Sequence, residues 1–175
     1  MGTEQDQTLN VLQTAIQMEI DGKEYYLEAS RKSSSKLGRE LLQTLAAEED
    51  IHQQKFQSIF NTIRNKNEWP TVDFQPQGGK LLRTILAKAK GNDSSTKASA
   101  TELDAVQTAI DMESKTYDFY RSQSSDARYD AERDFYEALA AEEREHQLVL
   151  LDYYDYLKDP AAWFVNKERP SLDGG

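Results

Sequence analysis

The chain contains only two histidines, and each lies three residues after a glutamate. The two motifs are Glu49-x-x-His52 and Glu143-x-x-His146, and residues three apart share one face of a helix. Carboxylate oxygens and imidazole nitrogens are ligands of iron, manganese and similar divalent cations. A single Glu-x-x-His is common on the solvated face of a charged helix, so a metal site has to be argued from the surroundings of both motifs.

The two motifs occupy equivalent positions in an internal repeat. Residues 12–56 match residues 106–150 without a gap, and 16 of the 45 aligned positions are identical. The same offset of 94 residues pairs Glu19 with Glu113, each 30 residues before the glutamate of its motif. Two copies are too few for a solenoid, which favours one pseudo-symmetric domain.

Each copy of the repeat is predicted to be a helical hairpin. Apolar residues recur at steps of three and four in both halves of each copy, the spacing of amphipathic helices packed in a bundle. Polar clusters at 33–35 and 124–126 interrupt the two copies and predict a helix end followed by the cap of the next helix. Residues 101–104, Thr-Glu-Leu-Asp, predict the N-terminal cap of the third long helix.

The overall prediction is an all-α four-helix bundle of two hairpins, about residues 6–65 and 100–158. Proline and glycine break the helical pattern in the connection, residues 66–99, which contains only a short amphipathic piece. A connection of this length can run along the bundle as a crossover. The tail, residues 161–175, is expected to be irregular and anchored by Trp163 and Phe164.

In this bundle the predicted hairpin turns fall midway between Glu19 and Glu49, and between Glu113 and Glu143. Both glutamates of a hairpin therefore lie at one level of the bundle. Four carboxylates cannot stay ionised in an apolar core unless they take up protons, water or cations. Two divalent metals satisfy the site most simply, in the ligand pattern of di-iron and di-manganese bundles. The six predicted ligands are Glu19, Glu49, His52, Glu113, Glu143 and His146.

Four further residues lie close to these ligands in sequence. Tyr26 and Tyr120 each follow a ligand glutamate by seven residues, on the same helix face. Two interpretations stay open: a core aromatic, or a hydroxyl that bonds to a ligand carboxylate or relays an electron. Glu48 and Glu142 are expected either on the surface or directly behind the ligands.

Composition excludes several classes of protein. With 31 acidic and 21 basic residues, the net charge of −10 argues against nucleic-acid binding. The absence of cysteine excludes disulfides, thiolate zinc sites and iron–sulfur clusters within these residues. No apolar stretch predicts a membrane span, and no secretory signal is visible. The expectation is a soluble cytoplasmic protein.

With these ligands in place, the sequence resembles the rubrerythrin branch of the ferritin-like superfamily. Besides the ligands, the resemblance rests on Ala-Ile-x-Met-Glu and Leu-Ala-Ala-Glu-Glu-x-x-His, each present in both copies, and it covers about residues 5–158. It implies a ferritin-like domain over residues 1–160, a non-haem di-iron site and, commonly, a homodimer.

The resemblance also implies an oxidoreductase, active against oxidative stress, that reduces peroxide or dioxygen at two Fe(II) ions. Glu49 and Glu143 would bridge the ions. Typical rubrerythrins add a rubredoxin-like domain whose iron is held by cysteines; here the electrons are expected from an external donor such as a rubredoxin-type protein. Typical rubrerythrins also have a further glutamate at the position occupied here by Thr116. The equivalent residue in the first copy of the repeat is Gly22. Manganese or mixed metal stays open, as do a ferroxidase, an iron-handling protein and a non-catalytic metal-binding module.

Overall fold

The computed structural model describes residues 2–91 and 97–168, and these residues form a helical bundle. A short 3₁₀ turn, Lys88–Gly91, follows the third helix. The predicted all-α fold is confirmed. None of the described helices combines the length and the apolar character needed to cross a bilayer. The six α-helices are α1 (Glu4–Lys32), α2 (Lys36–Lys66), α3 (Lys80–Ala87), α4 (Ala100–Asp126), α5 (Asp130–Lys158) and α6 (Pro160–Glu168).

The four long helices form two hairpins, joined by the connection that contains α3. Helix α1 packs along α2, and α4 packs along α5. Helix α1 also lies beside α4, while α3 packs against α2 and α5. The long helices belong to the two copies of the repeat, whereas the connection lies outside both copies and its helix α3 packs against α2 and α5. It is therefore the element that breaks the pseudo-symmetry.

Short polar side chains define two of the helix starts. Ser35 precedes α2, and its hydroxyl accepts a backbone N–H of the first turn at 3.0 Å, as the first polar cluster predicts. The predicted cap at 101–104 is wrong, because Ser99 accepts a first-turn N–H at 3.2 Å and the helix has already begun at Ala100. The second polar cluster, 124–126, forms the last turn of α4 and does not cap α5.

The chain after α5 is helical up to residue 168, so the prediction of an irregular tail is wrong for this part. Proline is tolerated at the first position of a helix because its missing N–H would have no partner there. Pro160 occupies that position in α6, and Asp159 before it accepts a first-turn N–H at 3.1 Å. Residues 169–175 of the predicted tail lie outside the described residues.

Helix α6 is attached to the bundle by the two aromatic residues that the sequence suggested. The indole N–H of Trp163 donates to Asp152 at 2.9 Å, and its ring packs edge-on against Tyr156, with centroids 5.3 Å apart. Phe164 is partly buried against the same cluster. The end of α5 is thus covered by a short helix.

The apolar core consists of two clusters that lie at opposite ends of the long helices. Core 1 includes Leu41, Leu45, Leu82, Leu150 and Tyr153. Core 2 includes Leu12, Phe56, Trp69, Tyr120 and Leu139. In each long helix the predicted metal ligands lie between the two clusters, so a layer of polar side chains separates the two cores.

Gly38 lies in the first turn of α2, where there is no room for a side chain. A Cβ at this position would overlap the hydroxyl oxygens of Ser33 and Tyr153. We expect Gly38→Ala to lower the free energy of unfolding by about 1–3 kcal/mol through overpacking. The greater helix propensity of alanine, about 1 kcal/mol, offsets only part of this cost. Urea denaturation followed by circular dichroism measures the change.

A second substitution tests the cause of that loss. Tyr153→Phe removes one of the two overlapping hydroxyls, so the double variant is expected to be more stable than Gly38→Ala in an otherwise unchanged chain. Equal stability of Gly38→Ala and the parent protein would contradict the prediction.

Candidate metal centre

The structure brings the six predicted ligands together in the middle of the bundle. Their fractional exposures are all 3% or less. One glutamate comes from α1 and one from α4, while α2 and α5 each supply a glutamate and a histidine one turn later. The hairpin geometry places them at one level because each turn lies about midway between its two glutamates. The sequence therefore predicted which side chains meet.

The predicted ligands form two overlapping groups of four residues. Each residue of a group contributes one possible ligand atom, and the four atoms lie within 4.8 Å of one another. Glu49 and Glu143 belong to both groups. A carboxylate has two oxygens, so a residue shared in this way can contact two cations at once. Site 1 is Glu49, Glu113, Glu143 and His146, and site 2 is Glu19, Glu49, His52 and Glu143.

Both imidazoles turn their Nδ1 atoms towards the carboxylates. His52 Nδ1 lies 3.2 Å from Glu143 Oε1 and 3.3 Å from Glu19 Oε2. His146 Nδ1 lies 3.1 Å from Glu49 Oε1. The two rings are stacked, with centroids 5.7 Å apart and planes 12° apart. Each ring thus offers one nitrogen to the carboxylate cluster.

Several buried ligand atoms lack a hydrogen-bond partner among the described residues. They are Glu19 Oε2, Glu49 Oε1, both carboxylate oxygens of Glu143, and Nδ1 of His52 and of His146. Buried polar atoms normally find partners, and leaving one without a partner costs about 1–3 kcal/mol. All of these atoms face the same small volume and are metal-ligating types. The residues therefore fit two divalent cations.

The pKa values of the clustered side chains are also shifted in the way expected for a buried site that can take up cations. Burial, reinforced by the charge of Glu143, raises the pKa of Glu49 well above its usual range. Burial and the charges of Glu113 and Glu19 raise the pKa of Glu143 to about 8. Burial disfavours the charged form of His52, but the nearby carboxylates outweigh it and raise the pKa of this ring. The carboxyl groups thus crowd one another so closely that protons on Glu49, Glu143 and His52 relieve the repulsion, and divalent cations could replace those protons.

Tyr26 and Tyr120 combine the two interpretations that the sequence left open, since both are core aromatics and both bond to a predicted ligand. The Tyr26 hydroxyl donates to Glu113, and the Tyr120 hydroxyl donates to Glu19. Each bond crosses from one hairpin to the other. Burial, and then the charge of the bonded glutamate, raises the pKa of each phenol well above its usual range. The hydroxyls therefore stay protonated and act as donors.

Glu48 and Glu142 are equivalent in the repeat but have different environments. Glu48 Oε2 lies 2.6 Å from Nε2 of His146, directly behind a predicted ligand as one interpretation expected. Glu142 is 2% exposed, and its Oε1 accepts the backbone N–H of Gly78 at 3.0 Å. The sequence did not predict this second contact. Its only signal is the Gly78-Gly79 pair, with φ angles of 63° and 69°, which marks a sharp turn in the connection.

The position of the additional glutamate of typical rubrerythrins has no carboxylate here. Thr116 donates its hydroxyl to the carbonyl of Met112 at 3.0 Å, within its own helix. Its repeat mate Gly22 leaves space for Glu49, because a Cβ at residue 22 would lie 2.9 Å from Glu49 Oε2. The bundle thus packs one shared carboxylate against a bare backbone on α1.

Comparison with known proteins agrees with this arrangement. A family model described as Rubrerythrin matches residues 10–91 and 104–170. The first segment contains three of the predicted ligands and the second contains the other three. Searches of curated proteins and of solved structures found no match.

Proposed function

The chain belongs to the rubrerythrin family, and we propose that it is a non-haem di-iron oxidoreductase that reduces hydrogen peroxide or dioxygen. The observation that supports the proposal is the pair of overlapping ligand groups, which share Glu49 and Glu143. Two cations held by shared carboxylates lie close enough to act on one small substrate together. A single closed metal site would not need this arrangement.

Each residue has a definite role in the proposal. Glu49 and Glu143 would bridge the two irons, while Glu19 and Glu113 would each bind one of them. The two histidines would add one nitrogen ligand each. Two Fe(II) ions, when bound, would supply the two electrons that, together with two protons from solvent, convert one hydrogen peroxide to two water molecules. Carboxylate and imidazole ligands leave room for manganese or a mixed centre as well.

The residues around the ligands orient them and exclude water. The hydroxyls of Tyr26 and Tyr120 hold the outer carboxylates, Glu113 and Glu19, in fixed orientations. Because both phenols stay protonated, each can donate a hydrogen bond throughout the reaction. The near-complete burial of the ligands keeps bulk water away and strengthens every charge interaction in the centre.

The proposal includes an external source of electrons. These 175 residues contain no cysteine that could hold an iron–sulfur centre beside the bundle. A rubredoxin-type protein is the proposed donor, by resemblance to the family. We also propose, on the same ground, a homodimer that works in the cytoplasm.

The burial of the ligands favours a second candidate function. All six are 3% exposed or less, which suits a site that shields ions from solvent. A ferroxidase or iron-handling protein would use the same ligands with Fe(II) as its substrate, and a non-catalytic module would bind metal without turnover. These functions differ in whether peroxide oxidises the bound iron rapidly and in whether the centre then turns over repeatedly with an electron donor.

Reconstitution with Fe(II) without oxygen, followed by addition of peroxide, separates these functions. We expect about two irons per chain, an absorbance change faster than that of free Fe(II), and repeated turnover when reduced rubredoxin is supplied. Bound iron that oxidises no faster than free Fe(II) would support the binding function instead. If no iron binds, both functions are wrong.

A further inference from the structure

The two predicted metal sites have equivalent ligands but different surroundings. Behind His146 in site 1, the Glu48 carboxylate lies 2.6 Å from Nε2 of the ring. Behind His52 in site 2, the ring of Phe74 from the connection packs edge-on, with centroids 5.6 Å apart. No described hydrogen bond reaches Nε2 of His52. One imidazole therefore has a carboxylate partner and the other has an aromatic cover.

The connection between the hairpins explains this difference. The repeat would place Glu142 behind His52 as Glu48 is placed behind His146. Glu142 instead accepts the N–H of Gly78 in the connection, at 3.0 Å. The connection thus provides both the backbone donor that engages Glu142 and the Phe74 ring that covers His52.

The Glu48 contact determines which nitrogen of His146 can bind a cation. A carboxylate at 2.6 Å accepts a hydrogen bond from Nε2, so Nε2 keeps its hydrogen and Nδ1, which faces the carboxylate cluster, is the nitrogen left to bind a cation. Such a partner fixes the orientation of a ligating histidine and makes the ring a stronger donor to the metal. His52 lacks both effects among the described residues.

We propose that Glu48 is a positioning residue that makes site 1 bind the first divalent ion and leaves site 2 for the second. The inference rests on the proposed function, because it requires that the cluster holds two ions. The His146 ring is held through Nε2 by a hydrogen bond to Glu48 before the metal arrives, whereas the His52 ring has no such bond among the described residues. Ordering a ligand in advance lowers the cost of binding.

Zinc titration of the metal-free protein tests the order of filling. Zinc takes the same oxygen and nitrogen ligands and is diamagnetic. Selective ¹⁵N labelling of histidine gives signals from two rings only, because the chain has two histidines. We expect the His146 signals to change with the first equivalent of zinc and the His52 signals with the second. With the first zinc bound, the His146 ring is expected to keep its hydrogen on Nε2.

Variants of the two equivalent glutamates identify the cause. Glu48→Ala is expected to weaken binding of the first zinc about 10–100-fold by calorimetry, the usual cost of losing such a partner. Glu48→Gln keeps an oxygen acceptor and is expected to recover part of this loss. The matched control is Glu142→Ala. It removes a carboxylate near the His146 ring but leaves the hydrogen bond between His146 and Glu48 in place. The control is expected to bind the first zinc as the parent protein does.

The outcomes separate this inference from the proposed function. If the parent protein binds no zinc, the two-metal centre itself is wrong. If it binds two zinc ions but both histidines change together, only the order of filling is wrong. An equal loss in Glu142→Ala and Glu48→Ala would assign the effect to negative charge and overturn the positioning role, as would Glu48→Gln behaving like Glu48→Ala.

Discussion

A Glu143→Ala variant is expected to bind neither metal ion, whereas Glu19→Ala or Glu113→Ala should each leave about one ion per chain. Glu143 belongs to both sites, so its loss removes a ligand from two cations at once. It also leaves the two cations without one of the carboxylates that separates and neutralises them. Glu49→Ala is expected to behave in the same way, for the same reason.

The Glu143→Ala variant is expected to fold, so a loss of bound metal can be assigned to the missing carboxylate. Neither oxygen of Glu143 meets hydrogen-bond geometry with a described residue, although His52 Nδ1 lies 3.2 Å away, so alanine removes a buried carboxyl group without breaking a hydrogen bond. Glu24→Ala, an exposed position of α1, is the control. Metal content by mass spectrometry, with circular dichroism for folding, measures the outcome. Retention of about two ions by a folded Glu143→Ala protein would rule out that Glu143 is needed by both metal sites.

The second large effect is expected from metal itself, which should raise the melting temperature by about 10–20 °C. A ligand at 100 times its dissociation constant stabilises the folded state by about 2.7 kcal/mol, and two sites double this. For a chain of this size each kcal/mol is worth about 2–4 °C. The cluster is well placed to respond, because cations offset the repulsion among its carboxylates.

Differential scanning calorimetry of protein with and without added metal measures this shift. The Glu143→Ala variant provides the control, since it should show almost no shift in the same metal concentration. A parent protein that binds two ions and yet melts at one temperature with and without metal would contradict the prediction, because the unfolded chain would then have to bind the ions equally well.

Much of the site was predictable because it depends on spacing alone. Helical periodicity placed Glu19 and Glu49 in the apolar seams of neighbouring helices, and the position of each hairpin turn put them at one level. The repeat then supplied the second half by analogy. The alternatives for Tyr26 could not be decided in the same way, because its hydroxyl bonds across to Glu113 of the other hairpin.

The predictions that failed depend on contacts at ends and in the connection. The cap of α4 is Ser99, two residues before the predicted cap. Helix α6 starts at Pro160, where Asp159 caps it, and its nine residues are too few for helical periodicity to be detected in the sequence. The different environments of Glu48 and Glu142 follow from the path of the connection, which the repeat does not contain. The symmetry of the sequence therefore predicted which side chains lie together, but it could not predict the different contacts of Glu48 and Glu142.

The separation of core 1 from core 2 bears on cooperativity. A metal-filled layer ties four helices together at mid-length, so disorder beginning in one core meets a rigid barrier before it reaches the other. Without metal the layer is crossed by the hydrogen bonds of Tyr26 and Tyr120, and we expect each end to open more independently, as local unfolding units do. Bound ions would thus make the bundle unfold as one cooperative unit instead of as two half-bundles that share their helices.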